Sequence, residues 1–195
     1  MVSRKQKKLI AVQSDLVQNI VRIANIKGRT VYSFVNEIME QAIEAEEIGR
    51  SLKEVVELHK LIEIEKKTGT TLITREILNY LIQRLYPSEE ETLLEKWYSS
   101  GQWYGKYVFA RFQNGDTLEI LNKLFQAYAW NASEVRITKG NDSISLRCVF
   151  PNHTPEETQL FSRFLEGAMH SIGYNLKKRD LLKGLILLDF EKTLK

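Results

Sequence analysis

Few residues of this chain are of the types that carry out chemistry, and their spacing matches no familiar catalytic or metal site. Among 195 residues there is one cysteine, Cys148, and there are three histidines, His59, His153 and His170. A metal site within one chain needs several such ligands close together. The sequence also lacks a phosphate-binding glycine loop, an HExxH motif and a recognisable Ser/His/Asp set. It therefore predicts no enzyme activity, no cofactor and no metal site.

Positive charge gathers near the amino terminus. The formal net charge is only +3, yet Arg4, Lys5, Lys7 and Lys8 lie within the first eight residues without an acidic neighbour. Such a block either remains a solvated tail or binds phosphates. No apolar run approaches the ~18 residues that span a bilayer, and the first residues lack the apolar core of a signal peptide. These features predict a cytoplasmic protein without a membrane partner.

The first 48 residues predict a strand, a helix, a glycine turn and a second helix. The apolar run Leu9–Val12 is too short for a helix and predicts a strand. Apolar residues at steps of three and four indicate a helix on each side of Gly28, with Thr30 as the N-cap of the second. A unit of roughly 40 residues buries too little apolar surface to fold alone. We therefore expect a homodimer, with higher oligomers open.

The turn sequence Gly28-Arg29-Thr30-Val31-Tyr32-Ser33, with the strand and the two helices, resembles the ribbon-helix-helix repressors of the Arc, MetJ and CopG type over residues 7–46. The resemblance implies that two chains pair their strands into a ribbon that enters the major groove of double-stranded DNA. It places the second helix N-terminus against a phosphate. The residues assigned to DNA by position, together with the arm, are Arg4, Lys5, Lys7, Leu9, Ala11, Arg29, Thr30 and Val31.

Two of these positions depart from the family pattern. Leu9 and Ala11 are apolar, so they cannot form the bidentate pairs that distinguish bases. The main hypothesis is a dimeric, nucleoid-associated DNA-binding protein, a transcriptional regulator. Two alternatives stay open, namely a dimeric interaction or scaffold protein that does not bind DNA, and a small-ligand-binding protein centred on the C-terminal half.

The middle segment, residues 49–100, is predicted to be a helical connector. One helix ends at Thr68-Gly69, and a second runs from Thr70 to Tyr86, where Pro87 ends it. Ser88 and Glu91 have the spacing of a capping box and predict the start of a third helix.

The C-terminal segment, residues 101–195, predicts a domain for sensing or oligomerisation. Residues 97–195 hold 15 of the 19 aromatic residues. Strands are predicted at Val108–Phe112, at Glu134–Thr138 with Ile144–Phe150 as a hairpin, and at Leu185–Phe190. Helices are predicted at Thr117–Tyr128 and Pro155–Ser171, and Lys177-Lys178-Arg179 is interpreted as a basic turn. The order predicts an α+β fold in which a ribbon-helix-helix module and a helical connector precede a βαββαβ-like domain.

Two further resemblances concern this last segment. The nickel-responsive repressors join a ribbon-helix-helix module to a βαββαβ domain, but Cys148, His153 and His170 lack the compact spacing of their metal site. The segments Phe164–Ala168 and Ile172–Tyr174 resemble vinyl-reductase-type small-ligand domains. Because ligand pockets are mostly apolar and aromatic, a small apolar ligand would be expected at Trp103, Tyr104 and Tyr107.

Overall fold

The structure is a computed structural model that describes residues 8–112, 116–128, 132–141 and 143–193. No helix in these ranges is long and apolar enough to cross a membrane. The helices are α1 (Ser14–Ile26), α2 (Val31–Glu47), α3 (Leu52–Thr68), α4 (Arg75–Arg111), α5 (Thr117–Tyr128) and α6 (Pro155–Ser171). The strands are β1 (Glu134–Lys139), β2 (Ser143–Val149), β3 (Tyr174–Leu182) and β4 (Leu185–Lys192).

Contacts along the chain divide it into two units, Met1–His59 and Lys60–Lys195. In the first unit, α1 ends in a tight turn at Gly28, whose φ of 64° favours glycine. The hydroxyl of Thr30 caps α2 by accepting a hydrogen bond from the backbone N–H of Ser33 at 3.1 Å. The predicted glycine turn and helix cap are therefore confirmed.

The predicted ribbon strand is not formed. Residues 8–13 have no regular secondary structure, and the side chain of Leu9 is fully exposed. Within the described part of this unit only Ala24, Phe34 and Ala45 are buried. The ribbon-helix-helix module is thus not shown, because its strand is absent and its helices bury almost nothing within one chain.

The second unit is built on a four-stranded sheet in which every neighbouring pair is antiparallel and the order is β1-β2-β4-β3. Alternate residues of the two central strands are buried and pack with α4, α5 and α6. On these two strands the buried residues are Ile144, Leu146, Cys148, Ile186, Leu188 and Phe190. This confirms the α+β class and the predicted β1–β2 hairpin.

The predicted βαββαβ order is wrong at its first strand and in the segment before its last strand, whereas the last strand itself is confirmed as β4. Val108–Phe112 is not a strand, because Val108 lies in the last turns of α4 and is fully buried there. Lys177-Lys178-Arg179 is not a turn, because these residues belong to β3. From α5 onward the order is instead α-β-β-α-β-β.

Helix α4 also differs from the prediction, since it continues past Pro87 and past residue 100. Glu89 has non-helical angles (φ −132°, ψ 26°), so the helix kinks after the proline rather than ending there. The Ser88 hydroxyl donates to the carbonyl of Leu85 at 3.3 Å and does not form the predicted capping box.

Glycines allow α4 and α6 to approach each other closely. A methyl group added at Gly101 would collide with the backbone carbonyl of Phe164, and one at Gly105 would collide with that of Ala168. On the facing helix, a methyl group at Gly167 would collide with the carbonyl of Tyr98. The helix pair that covers the sheet therefore depends on three positions without a side chain.

Candidate ligand-binding site

The face of the sheet opposite the core carries charged and polar side chains. Along β2 the burial alternates, so that Ser145 and Arg147 are exposed while Leu146 and Cys148, which follow them, are buried. The same alternation on β4 places Leu187 and Asp189 on the exposed side. We call this the outer face of the sheet.

The strand register brings residues from all four strands into two rows on the outer face. Cross-strand pairing along the first row follows the order Arg136, Arg147, Leu187 and Asp180. In the second row it follows the order Thr138, Ser145, Asp189 and Lys178. Directly opposed residues in an antiparallel sheet have neighbouring side chains, so each row forms a continuous line of contacts.

A concave pocket of about 360 Å³ lies over these rows. Its volume falls in the range of small-molecule sites. The lining residues are Glu134, Arg136, Thr138, Ser145, Leu146, Arg147, Lys178, Asp180, Leu187 and Asp189. We call it the outer-face pocket.

One end of the outer-face pocket is cationic. Arg136 and Arg147 are directly opposed across β1 and β2, and both reach the same carboxylate, Glu134. The Nε of Arg147 donates to Glu134 at 3.1 Å, and the Nε of Arg136 lies 3.6 Å from the other carboxylate oxygen. Since two guanidinium groups share one carboxylate, this end keeps one positive charge.

The other end is acidic. Asp189 accepts a hydrogen bond of 2.6 Å from the hydroxyl of Ser145, and its cross-strand neighbour on β3 is Lys178. Asp180 also lies on β3, in the first row, and is exposed. Two carboxylates beside one ammonium group leave one negative charge at this end.

A β-bulge at Lys177 determines which side of the sheet the following side chains of β3 occupy. Leu176 pairs with Phe190 and Lys178 pairs with the next residue, Asp189, so Lys177 is an extra residue in the strand. After the bulge Lys178 and Asp180 point to the outer face, while Arg179 is half-buried on the helix side.

On the helix side, Arg179 joins a polar cluster between β3 and the two packed helices. Glu166 accepts hydrogen bonds from both Arg163 and Arg179. The guanidinium of Arg163 lies 4.6 Å from the ring centre of Tyr98, whose hydroxyl is hydrogen-bonded to His170. Burial raises the pKa of Tyr98. These contacts tie β3 to α6 and α4, although the Nε of Arg179 is buried without a hydrogen-bond partner among the described residues.

A second hollow of about 400 Å³ adjoins the end of β1. It is lined by Gln126, Ala132, Ser133, Glu134, Val135 and Arg136. Glu134 and Arg136 border both hollows. The amide of Gln126 donates to the carbonyl of Val135 at 3.1 Å, which holds α5 against β1.

Burial shifts the pKa of three further reactive groups. Burial raises the pKa of the Cys148 thiol to about 12, so the thiolate does not form near neutral pH. Burial, assisted by the charge of Arg75, lowers the pKa of His153 to about 4. Burial also raises the pKa of Glu65, which accepts hydrogen bonds from Tyr104 and Thr70. No group of three metal-ligating side chains occurs among the residues that the structure describes.

The predicted DNA-binding residues that the structure describes lie in two segments, one before α1 and the other at the start of α2. Arg4, Lys5 and Lys7 lie outside the described residues, and Leu9 and Ala11 are exposed in an irregular segment. Arg29 is paired with Glu37 and donates to Ser33 at 3.2 Å. The Thr30 hydroxyl is used as a helix cap, and Val31 is the first residue of α2. The Arg29 guanidinium and the Thr30 hydroxyl thus have partners within the chain.

The predicted aromatic pocket is divided between core and surface. Tyr104 is 3% exposed and its ring stands 5.4 Å from that of Phe164, so it belongs to the core. Trp103 is 57% exposed, and its ring lies 6.4 Å from that of Tyr107. A ligand contact at Trp103 and Tyr107 stays a prediction.

The outer-face pocket was missed from the sequence, although one signal of it was available. Polar or charged residues alternate with apolar ones in Glu134–Thr138 and Ser143–Val149, which indicates a polar sheet face. Arg147 and Cys148 are neighbours on β2 and face opposite sides of the sheet. The contribution of β3 could not be found, because the strand was interpreted as a turn.

No family model matches the chain, and no curated protein matches it. Solved structures that match include H-NOX proteins at low similarity. One, studied for the function of haem distortion, is 15% identical, with a TM-score of 0.41, over 74% of this chain and 89% of the other. Another, studied for porphyrin distortion and haem redox potential, is 14% identical, with a TM-score of 0.39, over 73% and 93%. The H-NOX domain from Shewanella oneidensis is 13% identical, with a TM-score of 0.34, over 92% and 98%. At these values the likeness assigns no family to this chain.

The main functional prediction, a ribbon-helix-helix protein that binds DNA and regulates transcription, is wrong. The ribbon strand is absent from residues 8–13, and Arg29 is paired with Glu37. The assignment as a transcriptional regulator and the DNA partner followed from this prediction, and both are wrong with it.

The histidines of this chain do not fit a haem site. His153 is stacked on Phe150 with ring centres 4.1 Å apart, and His170 is exposed and bonded to Tyr98. His59 is exposed on α3. None of the three lines either of the hollows described above, and we assign no haem to the chain.

Proposed function

We propose that this protein binds a small polar ligand in the outer-face pocket of its C-terminal unit, without catalysing a reaction. The observation that carries the proposal is the pocket itself, in which all four strands contribute fixed charges to one concave surface. The proposal agrees with the alternative prediction of a small-ligand-binding protein, but it assigns the site to the sheet and not to the aromatic residues.

The arrangement of the pocket supports binding. Its charged groups come from strands whose register is fixed by a packed core, so they are held in place before a ligand arrives. Arg147 is held by Glu134, and Asp189 is held by Ser145. Pre-organised polar groups reduce the entropy lost on binding, and they select among ligands by charge and shape.

The chemistry of the pocket supports binding without turnover. Its lining contains neither histidine nor cysteine. Cys148, the one cysteine of the sequence, is fully buried on the opposite side of β2. The pocket therefore provides charge and hydrogen bonds, but neither an imidazole nor a thiol.

The test is a thermal-shift screen of the intact protein against small polar molecules, followed by calorimetric titration of the compounds that stabilise it. We expect at least one ligand to raise the unfolding temperature, because a ligand of the folded state stabilises it by mass action. Arg147→Gln should weaken that ligand roughly tenfold or more, since it removes a charge-assisted hydrogen bond of about 1.5–3 kcal/mol.

The matched control is Lys177→Gln, which removes a positive charge from the same sheet outside the pocket. The Nζ of Lys177 lies 3.5 Å from the Oε2 of Glu191, and Lys177 does not line the pocket. Equal affinity of Arg147→Gln and the unmodified protein for every ligand found would contradict the proposed site. A screen without a single stabilising compound would contradict the proposed function.

A further inference from the structure

We infer that the outer-face pocket selects a zwitterion of the ω-amino acid class, that is, a carboxylate and an ammonium group joined by a short apolar chain. This inference rests on the proposed function and adds the chemical class of the ligand. It comes from the separation of charge within the pocket and from the residue that lies between the two charged ends.

The cationic end lacks one carboxylate. Like charges placed directly opposite each other on neighbouring strands destabilise a sheet, and Arg136 and Arg147 are so placed. Glu134 compensates only one of them. A ligand carboxylate would supply the second negative charge, and a guanidinium can hold a carboxylate by two parallel hydrogen bonds. Arg147 has an exposed fraction of 54%, so a ligand can reach it.

The acidic end lacks one cation. Asp180 and Asp189 lie on adjacent strands in adjacent rows, and Lys178 is the only cation among the residues that line this end. One oxygen of Asp189 is bonded to Ser145. A ligand ammonium group would balance the remaining carboxylate and donate up to three hydrogen bonds to this end.

An apolar residue separates the two ends. In the first row Leu187 lies between Arg147 and Asp180, paired with Arg147 on one side and Asp180 on the other. Neighbouring strands are about 4.8 Å apart, so the backbones of Arg147 and Asp180 are separated by roughly 10 Å. An α-amino acid is too short to reach both ends over Leu187, whereas several methylene groups would lie along it.

The charge pattern argues against ligands of one sign. A dianion would place its second carboxylate beside Asp180 and Asp189, and a diamine would place its second ammonium beside Arg136 and Arg147. Each arrangement adds a charge to an end that already has an excess of the same sign, which costs affinity. A zwitterion in one orientation is the ligand that satisfies both ends.

The inference is tested by calorimetric titration of the intact protein with four probes of similar length, namely 6-aminohexanoate, hexanoate, hexylamine and adipate. We expect 6-aminohexanoate to bind at least tenfold more tightly than each of the other three. Arg147→Gln and Asp180→Asn should each weaken 6-aminohexanoate at least tenfold, whereas Lys177→Gln should leave its affinity unchanged. Far-ultraviolet circular dichroism and the unfolding temperature establish that each variant is folded.

One variant is expected to change the affinities for two of the probes in opposite directions. Asp180→Asn removes a negative charge from the acidic end, so it should strengthen the binding of adipate while it weakens 6-aminohexanoate. A general loss of structure would weaken both probes. This divergence therefore separates a role in charge selection from a role in folding.

The failures of the two proposals are distinguishable. If adipate or hexanoate binds as tightly as 6-aminohexanoate and Arg147→Gln abolishes that binding, the pocket is a ligand site and the zwitterion inference is overturned. If none of the four probes binds, the inference is likewise overturned, and the library screen decides the proposed function separately. Binding of 6-aminohexanoate that neither Arg147→Gln nor Asp180→Asn affects overturns both proposals.

Discussion

At the scale of single residues, burial decides which titratable groups are charged. His153 lies against the rings of Phe150 and Phe161, and its Nδ1 is buried without a hydrogen-bond partner among the described residues. Burial lowers its pKa from 6.5 to about 4, and the charge of Arg75 acts in the same direction. His153 is therefore neutral near pH 7 in the folded protein.

This neutral histidine makes folding sensitive to acid. As the pH falls from 6.5 toward 4, the unfolded chain binds a proton at His153 before the folded chain does, so the free energy of unfolding decreases. At pH 5 we expect His153 to account for a loss of about 1 kcal/mol, since partial exposure screens part of the effect. Urea unfolding at pH 7 and pH 5 measures this loss.

The variant His153→Phe keeps the ring contacts and removes the titratable group. Between pH 7 and pH 5 it should lose less stability than the unmodified protein by about 1 kcal/mol. Other groups titrate equally in both proteins and cancel in the comparison. If the two proteins lose the same stability over this range, His153 is not the group responsible.

At the scale of the elements, the contact between α4 and α6 depends on glycine. Gly101, Gly105 and Val108 recur at steps of four and three residues, which places them on one face of α4. Gly167 faces them from α6, and Phe164 and Leu165 on the same helix belong to the core. The packing of the helical layer over the sheet thus requires close approach of two backbones.

Gly101→Ala should therefore destabilise the protein. The added methyl group would meet the backbone carbonyl of Phe164, which cannot turn aside as a flexible side chain can. Overpacking of this kind costs about 1–3 kcal/mol, although alanine has the better helix propensity. Ser100→Ala, at the neighbouring exposed position of α4, is the control and should change stability by less than about 0.5 kcal/mol. Equal unfolding temperatures for the two variants would show that the helices do not pack this closely.

The elements also show what the sequence could predict. The hairpin of β1 and β2 and the helix Pro155–Ser171 follow from local signals, namely alternation around a turn and the capping box of Thr154 and Glu157. Val108–Phe112 was assigned wrongly because five alternating residues favour a strand locally. The spacing of Gly101, Gly105 and Val108 makes the same segment part of a helix face, and that preference depends on α6.

The site was harder to predict than the fold because it consists of pairs that only the register creates. Nothing local to Arg136 indicates that Arg147 lies opposite, and nothing near Asp180 indicates that Leu187 and Arg147 continue its row. The N-terminal arm, by contrast, has a strong local signal of charge. That signal led to a DNA-binding hypothesis which the paired Arg29 and the missing strand do not support.

At the scale of the whole molecule, burial is unevenly distributed. The described residues of Met1–His59 include three buried side chains, whereas the core cluster lies in Lys60–Lys195. Many large apolar side chains of the first unit are exposed, among them Leu16, Val21, Ile26, Ile38, Met39 and Ile43. A unit with so little buried apolar surface has little stability of its own.

Two fragments test this division. A fragment of residues 51–195 keeps α3 whole and should unfold cooperatively within about 5 °C of the full chain, since it retains the core cluster. A fragment of residues 1–50 should show no cooperative transition in circular dichroism at micromolar concentration. A sharp transition in the short fragment, or its absence in the long one, would contradict the division.

Because of the bulge at Lys177, we expect β3 to tolerate the deletion of some residues better than the deletion of others. Because Leu176 and Lys178 already pair with consecutive residues of β4, the ladder is complete without Lys177. Deletion of Lys177 would leave every other side chain of the strand on its present face. Loss of Asp180 instead would turn Leu181 toward solvent and Leu182 toward the helices, and would remove a charge from the pocket. Shortening by one residue is therefore conservative at one position of this strand and disruptive three positions later.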